Sequence, residues 1–150
     1  MTASQRQVET FLRYFSEGCK TPLHLKDGVC ALYNEQGQEA VVLEVPEQSD
    51  SLLMHCQLTE TDPEASLTLH SLLLQLNFEM AAMQGCWLAM DEQYKVRLCF
   101  QQSLFQLDEA TFSHIVSGFI EQAVEVREFV GQISSRSVDL KKERDKFFLH

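Results

Sequence analysis

The most reactive side chains in this 150-residue sequence are five cysteines and five histidines. No two cysteines lie closer than eleven residues apart, so the paired spacing of zinc and redox motifs is absent. Their odd number also argues against a complete disulfide framework. The sequence therefore predicts free, mostly buried thiols at Cys19, Cys30, Cys56, Cys86 and Cys99.

The histidines are too scattered to suggest a metal site. At least fifteen residues separate each from the next along the series His24, His55, His70, His114 and His150. Neither a glycine-rich phosphate loop nor a Gly-x-Ser-x-Gly elbow occurs. We expect a protein that is not an enzyme, with no catalytic, cofactor-binding or metal-binding residues and no cofactor. A thiol-dependent enzyme stays open as an alternative, because Cys56 or Cys99 could meet His55 or His70 in space.

Two other features could serve binding, but each has a simpler structural interpretation. Glu121, Glu125 and Glu128 fall on one side of the last predicted helix together with Arg127, which is typical of a solvated face. Trp87 could anchor a partner, although packing in the core is the simpler expectation.

Composition narrows the function further. With 45% hydrophobic and 23% charged residues, the chain can bury the core of one domain. A net charge of -10 disfavours binding to nucleic acid and to anionic lipid. No apolar run approaches the ~20 residues of a membrane span, and residues 1–7 do not resemble a signal peptide. The sequence predicts a cytosolic protein without membrane insertion.

The first elements are a helix and three strands. Ser4 and Gln7 match a capping box, Val8, Phe11, Leu12 and Phe15 follow helical spacing, and Gly18 could end the helix. Period-two alternation then predicts strands at residues 29–33, 40–45 and 52–58, separated by short polar turns. Such strands should pair as an antiparallel meander.

The second helix is apolar on two sides. It should begin after Asp62 and Pro63. One stripe, formed by Leu69, Leu72, Leu73, Leu76 and Met80, can pack on the sheet of the same chain. The other stripe needs another partner, because a chain of this size has few layers in which to bury a helix all round. We therefore predict a homodimer contact at Leu67, Ser71, Leu74 and Phe78.

Two strands and a long helix complete the order. Residues 86–90 and 94–100 alternate as strands, and apolar residues from Phe112 to Ile133 keep helical spacing for about six turns. Gly118 within this helix suggests close packing. The order helix, three strands, helix, two strands, helix predicts an α+β fold with an antiparallel sheet packed against helices.

A change of charge marks the end of the sequence. Residues 1–133 carry a net charge of -12, whereas residues 134–150 carry five basic and three acidic side chains. We expect a domain over 1–133 and a charged extension over 134–150, either a continued helix or a loose tail.

A family resemblance rests on structural leucines, turns and helix caps. It is carried by the stretch Leu72-Leu73-Leu74-Gln75-Leu76-Asn77-Phe78, by Gly85, by Leu88-Ala89-Met90-Asp91, by Val96 and Leu98, and by Leu107-Asp108 with Phe112, Phe119 and Ala123. On these residues the chain resembles the class I type III secretion chaperones, the Tir chaperone family, over about residues 4 to 133.

The resemblance implies a homodimer of α+β protomers in the bacterial cytoplasm. Such a dimer binds an unfolded segment near the N-terminus of a virulence effector, which wraps around it in extended form. It keeps the effector competent for export and helps present it to the export apparatus and its ATPase.

The strands offer a surface for such a client. Leu32, Val42 and Leu53 fall on the face opposite the main apolar stripe of their strands, so we predict that they form the effector-binding surface. A non-secretory interaction module with the same fold remains an alternative.

Overall fold

The computed structural model describes residues 1–17, 20–60 and 67–148, with side chains up to residue 136. The predicted cap at Gly18, the thiol of Cys19 and the helix start at Asp62 and Pro63 lie outside the described residues. The elements are α1 Ala3–Phe15, β1 Val29–Tyr33, β2 Glu39–Glu44, β3 Ser51–Glu60, α2 Leu67–Phe78, α3 Met80–Met83, β4 Trp87–Met90, β5 Lys95–Ser103 and α4 Glu109–Phe148.

The predicted α+β class and element order are confirmed, with one added helix. The five strands form an antiparallel sheet in the order β1-β2-β3-β5-β4. The second helix was predicted to reach Met80, but α2 ends at Phe78 because Glu79 leaves helical geometry with ψ 78°. The short α3 begins after this break.

The chain divides into two compact units, of which the first comprises residues 1–56 and 99–121. Its core joins α1 to the start of α4. The rings of Phe11 and Phe112 lie 5.2 Å apart, and Phe15 meets Phe112 edge-on at 6.4 Å. Strands β2 and β3, with Val45 directly after β2, add the buried side chains Val41, Leu43, Val45, Leu52, Met54 and Cys56.

The cap of α1 differs from the prediction. Thr2 is the N-cap, and Thr2 with Gln5 forms a capping box in which each side chain bonds the other residue's backbone N–H. Ser4 instead donates to Asp50 Oδ1 at 2.8 Å, and Gln7 Nε2 donates to Leu104 O at 3.2 Å. Ser4 and Gln7 therefore bind other segments of the chain, and the capping box predicted for them is wrong.

The second unit comprises residues 57–98 and 122–150. Its buried apolar side chains come from the end of β3, from α2, α3, β4 and β5, and from the middle of α4: Leu58, Leu69, Leu73, Met83, Leu88, Val96, Leu98, Ala123, Val126 and Val130. Gln122 Nε2 donates to Ala82 O at 2.6 Å, which ties α4 to α3. Trp87 is 41% exposed, so the expectation that it packs in the core is wrong.

Helix α4 corrects two expectations and bears on a third. Gly118 is exposed and a Cβ there would meet nothing within 4 Å, so close packing does not explain this glycine. Arg127 is half-buried and donates to Gln57 O at 2.9 Å, whereas the three glutamates predicted beside it are exposed. The helical backbone continues through residue 134 to Phe148. A domain boundary after residue 133 stays a prediction.

Candidate functional site

A bulge between β1 and β2 decides which side chains share a face of the sheet. Tyr33 pairs with Glu39, but the register then shifts, so that Leu32 pairs with Val41. Directly paired residues of antiparallel strands project to the same face. Leu32 therefore shares the face of the buried Val41 and Leu43, and its expected grouping with Val42 and Leu53 is wrong.

The opposite face carries the apolar residues that the register does bring together. Val42 lies between Ala31 on β1 and His55 on β3, while Glu44 lies between Val29 and Leu53. We name Val29, Ala31, Val42 and Leu53 the sheet surface. Val29 and Ala31 are exposed, Leu53 is half-buried and Val42 is buried.

One polar pair lies within the sheet surface. His55 Nε2 and Glu44 Oε1 are 3.4 Å apart, on the same face as Val42 and Leu53. A surface of this composition offers small apolar contacts interrupted by one charged group. It suits a guest chain held by several weak contacts.

The free edge of β1 is partly closed by its own chain. Asp27 and Gly28 both have positive φ and form a tight turn, so that Lys26 and Val29 exchange backbone hydrogen bonds of 2.8 and 3.0 Å. Val29 thus has its outward backbone groups paired. Because outward and inward groups alternate along an antiparallel strand, Ala31 presents the next outward N–H and C=O. This position is where a guest strand could pair.

The α2 helix carries a second exposed apolar stripe, in the second unit. Leu67, Leu74 and Phe78 are 83%, 69% and 77% exposed, and Ser71 between them is exposed too. We name these four residues the α2 surface. They are the residues predicted for the dimer contact.

A cavity of about 270 Å³ lies beside the α2 surface, between α2 and the strands β4 and β5. The helix contributes His70, Leu73, Leu74 and Asn77, and the strands contribute Leu88, Ala89, Met90 and Val96. No sequence pattern indicated this cavity, because it depends on the distance between a helix and a strand.

Asn77 bridges that distance. Its Nδ2 donates to Leu88 O at 3.2 Å, and Leu88 N–H donates to its Oδ1 at 2.7 Å. The side-chain amide thus bonds β4 as a neighbouring strand would. The helix end and the strand are held at a fixed separation.

The described residues include no group of three His, Cys, Asp or Glu side chains that could hold a metal ion. Burial and the charge of Glu9 raise the pKa of the Cys30 thiol, although the backbone of His24 acts in the opposite direction. A raised pKa lowers the fraction of reactive thiolate. Cys56 and His55 are successive residues of β3 and point to opposite faces.

None of the helices in the described part of the chain combines the length and apolar character needed to cross a membrane.

Comparison with known proteins identifies a matching family and several similar structures. The model of the Tir chaperone protein (CesT) family matches residues 10–127. None of the curated protein sequences matches the chain significantly.

Several solved structures are similar. The ExsC-ExsE complex contains a chain with 20% identity and a TM-score of 0.67, over 86% of this chain and 93% of that one. The HopA1-SchA chaperone-effector complex gives 19% identity and a TM-score of 0.65, over 85% and 98%. The heterodimeric ExoU-SpcU complex, from the type III secretion system of Pseudomonas aeruginosa, gives 18% and 0.55, over 84% and 93%.

At these identities the structural likeness shows a shared fold, whereas the family model matches the sequence itself over most of its length. The resemblance found in the sequence is thereby confirmed. The chain belongs to the Tir chaperone protein (CesT) family.

Proposed function

We propose that this protein is a cytoplasmic bacterial type III secretion chaperone. As a homodimer it binds an unfolded N-terminal segment of one or more effectors and keeps them competent for export. It presents them to the export apparatus and its ATPase. Residues 1–133 form the chaperone domain, and residues 134–150 are a charged extension of it.

The observation that carries the proposal is the family match over residues 10–127 in a chain with large exposed apolar residues. The similar solved structures include a complex named for a chaperone and its effector, which supports an effector as the partner. Exposed apolar groups, in a chain whose described residues include no metal-binding cluster, suit binding better than catalysis.

The α2 surface supports the dimer. Burying one large aliphatic or aromatic side chain contributes about 1.5 to 3 kcal/mol, so three exposed ones are costly to leave in water. A two-fold contact uses the same patch on both copies, so that each copy covers the stripe of the other. The proposed interface comprises Leu67, Ser71, Leu74 and Phe78.

The sheet surface supports an extended client. Each guest residue that becomes fixed loses about 1 to 2 kcal/mol of conformational entropy, so a stable complex needs many contacts. Backbone pairing at Ala31 would add hydrogen bonds that do not depend on the guest's sequence. Val29 and Leu53 would add apolar contacts on the same face.

Co-purification from the source bacterium tests the function. Tagged wild-type protein should retain a protein that the type III system exports. The N-terminal segment of that exported protein should bind on its own. Leu53→Asp should abolish retention and leave the dimer and its Tm nearly unchanged. Ala31→Glu provides a second variant at an exposed position, in case Leu53→Asp disturbs β3.

Val124→Glu is the matched control, because Val124 is an exposed apolar residue on α4 outside the sheet surface. It should retain the client as the wild type does. If Leu53→Asp and Ala31→Glu both keep the client, the sheet surface is not the binding site. If the retained partner is never exported, the secretion role is wrong.

A further inference from the structure

We propose that Tyr33, together with Glu39, forms a subsite that selects a lysine or arginine side chain of the client. The inference rests on the proposed function and names the chemistry of the client segment. The basic residue would lie opposite Tyr33 in a client strand paired with β1, two positions from the client residue opposite Ala31.

The open edge of β1 extends as far as Tyr33. Outward and inward backbone groups alternate along an antiparallel strand, and Val29 faces outward because it bonds Lys26. Ala31 and Tyr33 are therefore the next outward residues. Among the described residues outside the strands, Lys26 is the one that pairs with β1. A client strand can thus form hydrogen bonds with both Ala31 and Tyr33.

The ring of Tyr33 is accessible to a residue of such a strand. Tyr33 is 65% exposed, and alternation along β1 puts its side chain on the face of Val29 and Ala31. A client residue paired with Tyr33 through hydrogen bonds projects to the same face, with the two Cα atoms about 5.5 Å apart. A lysine or arginine side chain there can cover the ring, whose face attracts cations.

Carboxylate charge lies on the other side of Tyr33. Glu39 pairs directly with Tyr33 across the hairpin of β1 and β2, so the two side chains share a face. Glu35 is exposed in the loop between them. An exposed ion pair contributes little alone, but here a basic side chain would meet an aromatic ring and negative charge together. The net charge of -10 favours the same kind of client.

Lys26 determines which client residue should be basic. It pairs with Val29 and so lies in line with the client strand. Along this line a client residue opposite Ala31 lies about 7 Å from Lys26, and one opposite Tyr33 about 13 Å. Repulsion disfavours a basic residue at the nearer position. A large apolar residue suits that position, because Ala31 is small and its direct partner is Val42.

The loop after Tyr33 is rigid before a client arrives. Asn34 Oδ1 accepts from the N–H groups of Gln36 and Gln38 at 3.0 and 2.9 Å, and Asn34 N–H donates to Gln38 O at 2.8 Å. These bonds hold the ends of β1 and β2 in register, so Tyr33 and Glu39 stay side by side. A preformed subsite saves the entropic cost of ordering it on binding.

Selection from a random peptide library tests the subsite. The probe is a phage-displayed library of random dodecapeptides, panned on the immobilised wild-type chain. We expect enrichment of lysine or arginine two positions from a large apolar residue. Tyr33→Leu and Glu39→Gln should each weaken the basic preference, and Glu39→Lys should replace it with a preference for acidic residues. Tyr33→Phe keeps the ring and should keep the preference.

Ala31→Pro shows whether the selected peptides bind at the edge of β1. Proline lacks the outward N–H and is tolerated on an edge strand where that group faces away from the neighbouring strand. The most enriched peptide, made synthetically, should bind this variant about tenfold more weakly than the wild type. Tyr14→Leu is the matched control, because Tyr14 is an exposed tyrosine on α1, outside the sheet. It should bind the peptide as the wild type does.

A double-mutant cycle then joins the peptide's basic residue to Tyr33. Replacing that residue with methionine should raise the Kd for the wild type about fivefold. The same replacement should raise the Kd for Tyr33→Leu less than about twofold, because the ring that held the cation is gone. Equal effects in the two proteins would mean that Tyr33 does not contact the basic residue.

The outcomes separate the subsite from the proposed function. If the enriched peptides carry no excess of lysine or arginine, or if none depends on Ala31, the subsite is wrong, while co-purification still decides the chaperone function. If Tyr33→Leu alters sedimentation equilibrium but not peptide selection, the edge pairs with a second copy and the subsite is again wrong. If the coupling to Tyr33 is measured but the partner retained from the source bacterium is never exported, the subsite stands and the secretion role is wrong.

Discussion

The side-chain amide of Gln5 donates a hydrogen bond to the carbonyl of Val45 at 3.0 Å, forty residues along the chain. Its Oε1 at the same time accepts from the backbone of Thr2 at 2.9 Å. One buried side chain thus caps α1 and ties its first turn to the end of β2. The sheet surface borders this point, because Gly28 precedes β1 and its carbonyl accepts a hydrogen bond from Val45 N–H at 2.8 Å.

Gly28→Ala should destabilise the protein more than Gly37→Ala. Both glycines have φ 78°, but a Cβ at 28 would lie 2.7 Å from Val45 O and 2.9 Å from Gln5 Nε2, whereas a Cβ at 37 meets nothing within 4 Å. The left-handed conformation alone costs about 1 to 2 kcal/mol for a residue with a Cβ. Urea unfolding measures both variants. Equal losses would mean that the contact between Gly28 and Val45 is not tight.

Gly118→Ala should stabilise the protein by about 1 kcal/mol, since glycine is the poorer helix former and the new methyl group meets no neighbour. Gly131→Ala should stabilise the protein by a similar amount, because a Cβ at this position of α4 also meets nothing within 4 Å. Thermal unfolding provides the measurement. A loss of stability at 118 alone would indicate that this face of α4 is covered in solution.

Asn77→Ala should lower the free energy of unfolding by about 1 to 3 kcal/mol, the cost of leaving buried partners without hydrogen bonds. The change leaves both the N–H and the C=O of Leu88 unpaired. Asn77→Asp should cost less, because a carboxylate still accepts from Leu88 N–H. Chemical denaturation measures the free energy of unfolding of the two variants. An Asn77→Asp protein less stable than Asn77→Ala would contradict the prediction.

Glu9 makes stability depend on pH. Burial raises the pKa of its carboxyl, but the hydrogen bond from Leu25 N–H, the one from His24 and the charges of His24 and Arg13 together bring the pKa below its ordinary value of 4.5. The two bonds are both 2.8 Å long. A carboxyl with a lowered pKa in the folded state stabilises it above its unfolded pKa, and the contribution is lost as the pH falls through the folded value.

The free energy of unfolding of the wild type should therefore fall more steeply between about pH 5 and about pH 3 than that of Glu9→Gln. At about pH 7 the variant should be the less stable protein, because its neutral amide binds Leu25 N–H more weakly than a carboxylate does. Parallel slopes for the two proteins over this range would show that Glu9 does not contribute.

The sequence predicted the elements well where periodicity is strong. The exposed stripe of α2 is an example, because Leu67, Leu74 and Phe78 lie away from Leu69 and Leu73 on any regular helix. The cap of α1 was ambiguous, since Thr2 with Gln5 and Ser4 with Gln7 both fit the capping-box pattern. In the structure Thr2 and Gln5 form the box, and Gln5 also donates to the carbonyl of Val45. A pattern of neighbouring residues cannot indicate a hydrogen bond to a residue forty positions away.

The sheet surface could be predicted only in part because register depends on one residue. Counting from the turn after Tyr33 without a bulge would pair Leu32 with Ala40 and place it beside Val42. The bulge shifts the pairing by one, and a shift of one moves a side chain to the other face. The alternation puts Val29 and Ala31 on the main apolar stripe of β1, because both sides of this strand carry apolar residues, so it did not indicate that they replace Leu32 on this surface.

Amide hydrogen exchange of the purified complex, compared with the free protein, tests the central claim most directly. We predict that binding slows exchange at Ala31 on the open edge of β1, while the client segment outside its contacts exchanges at the rates of an unfolded chain. Unchanged exchange along β1, or a bound client protected throughout like a folded domain, would contradict the account.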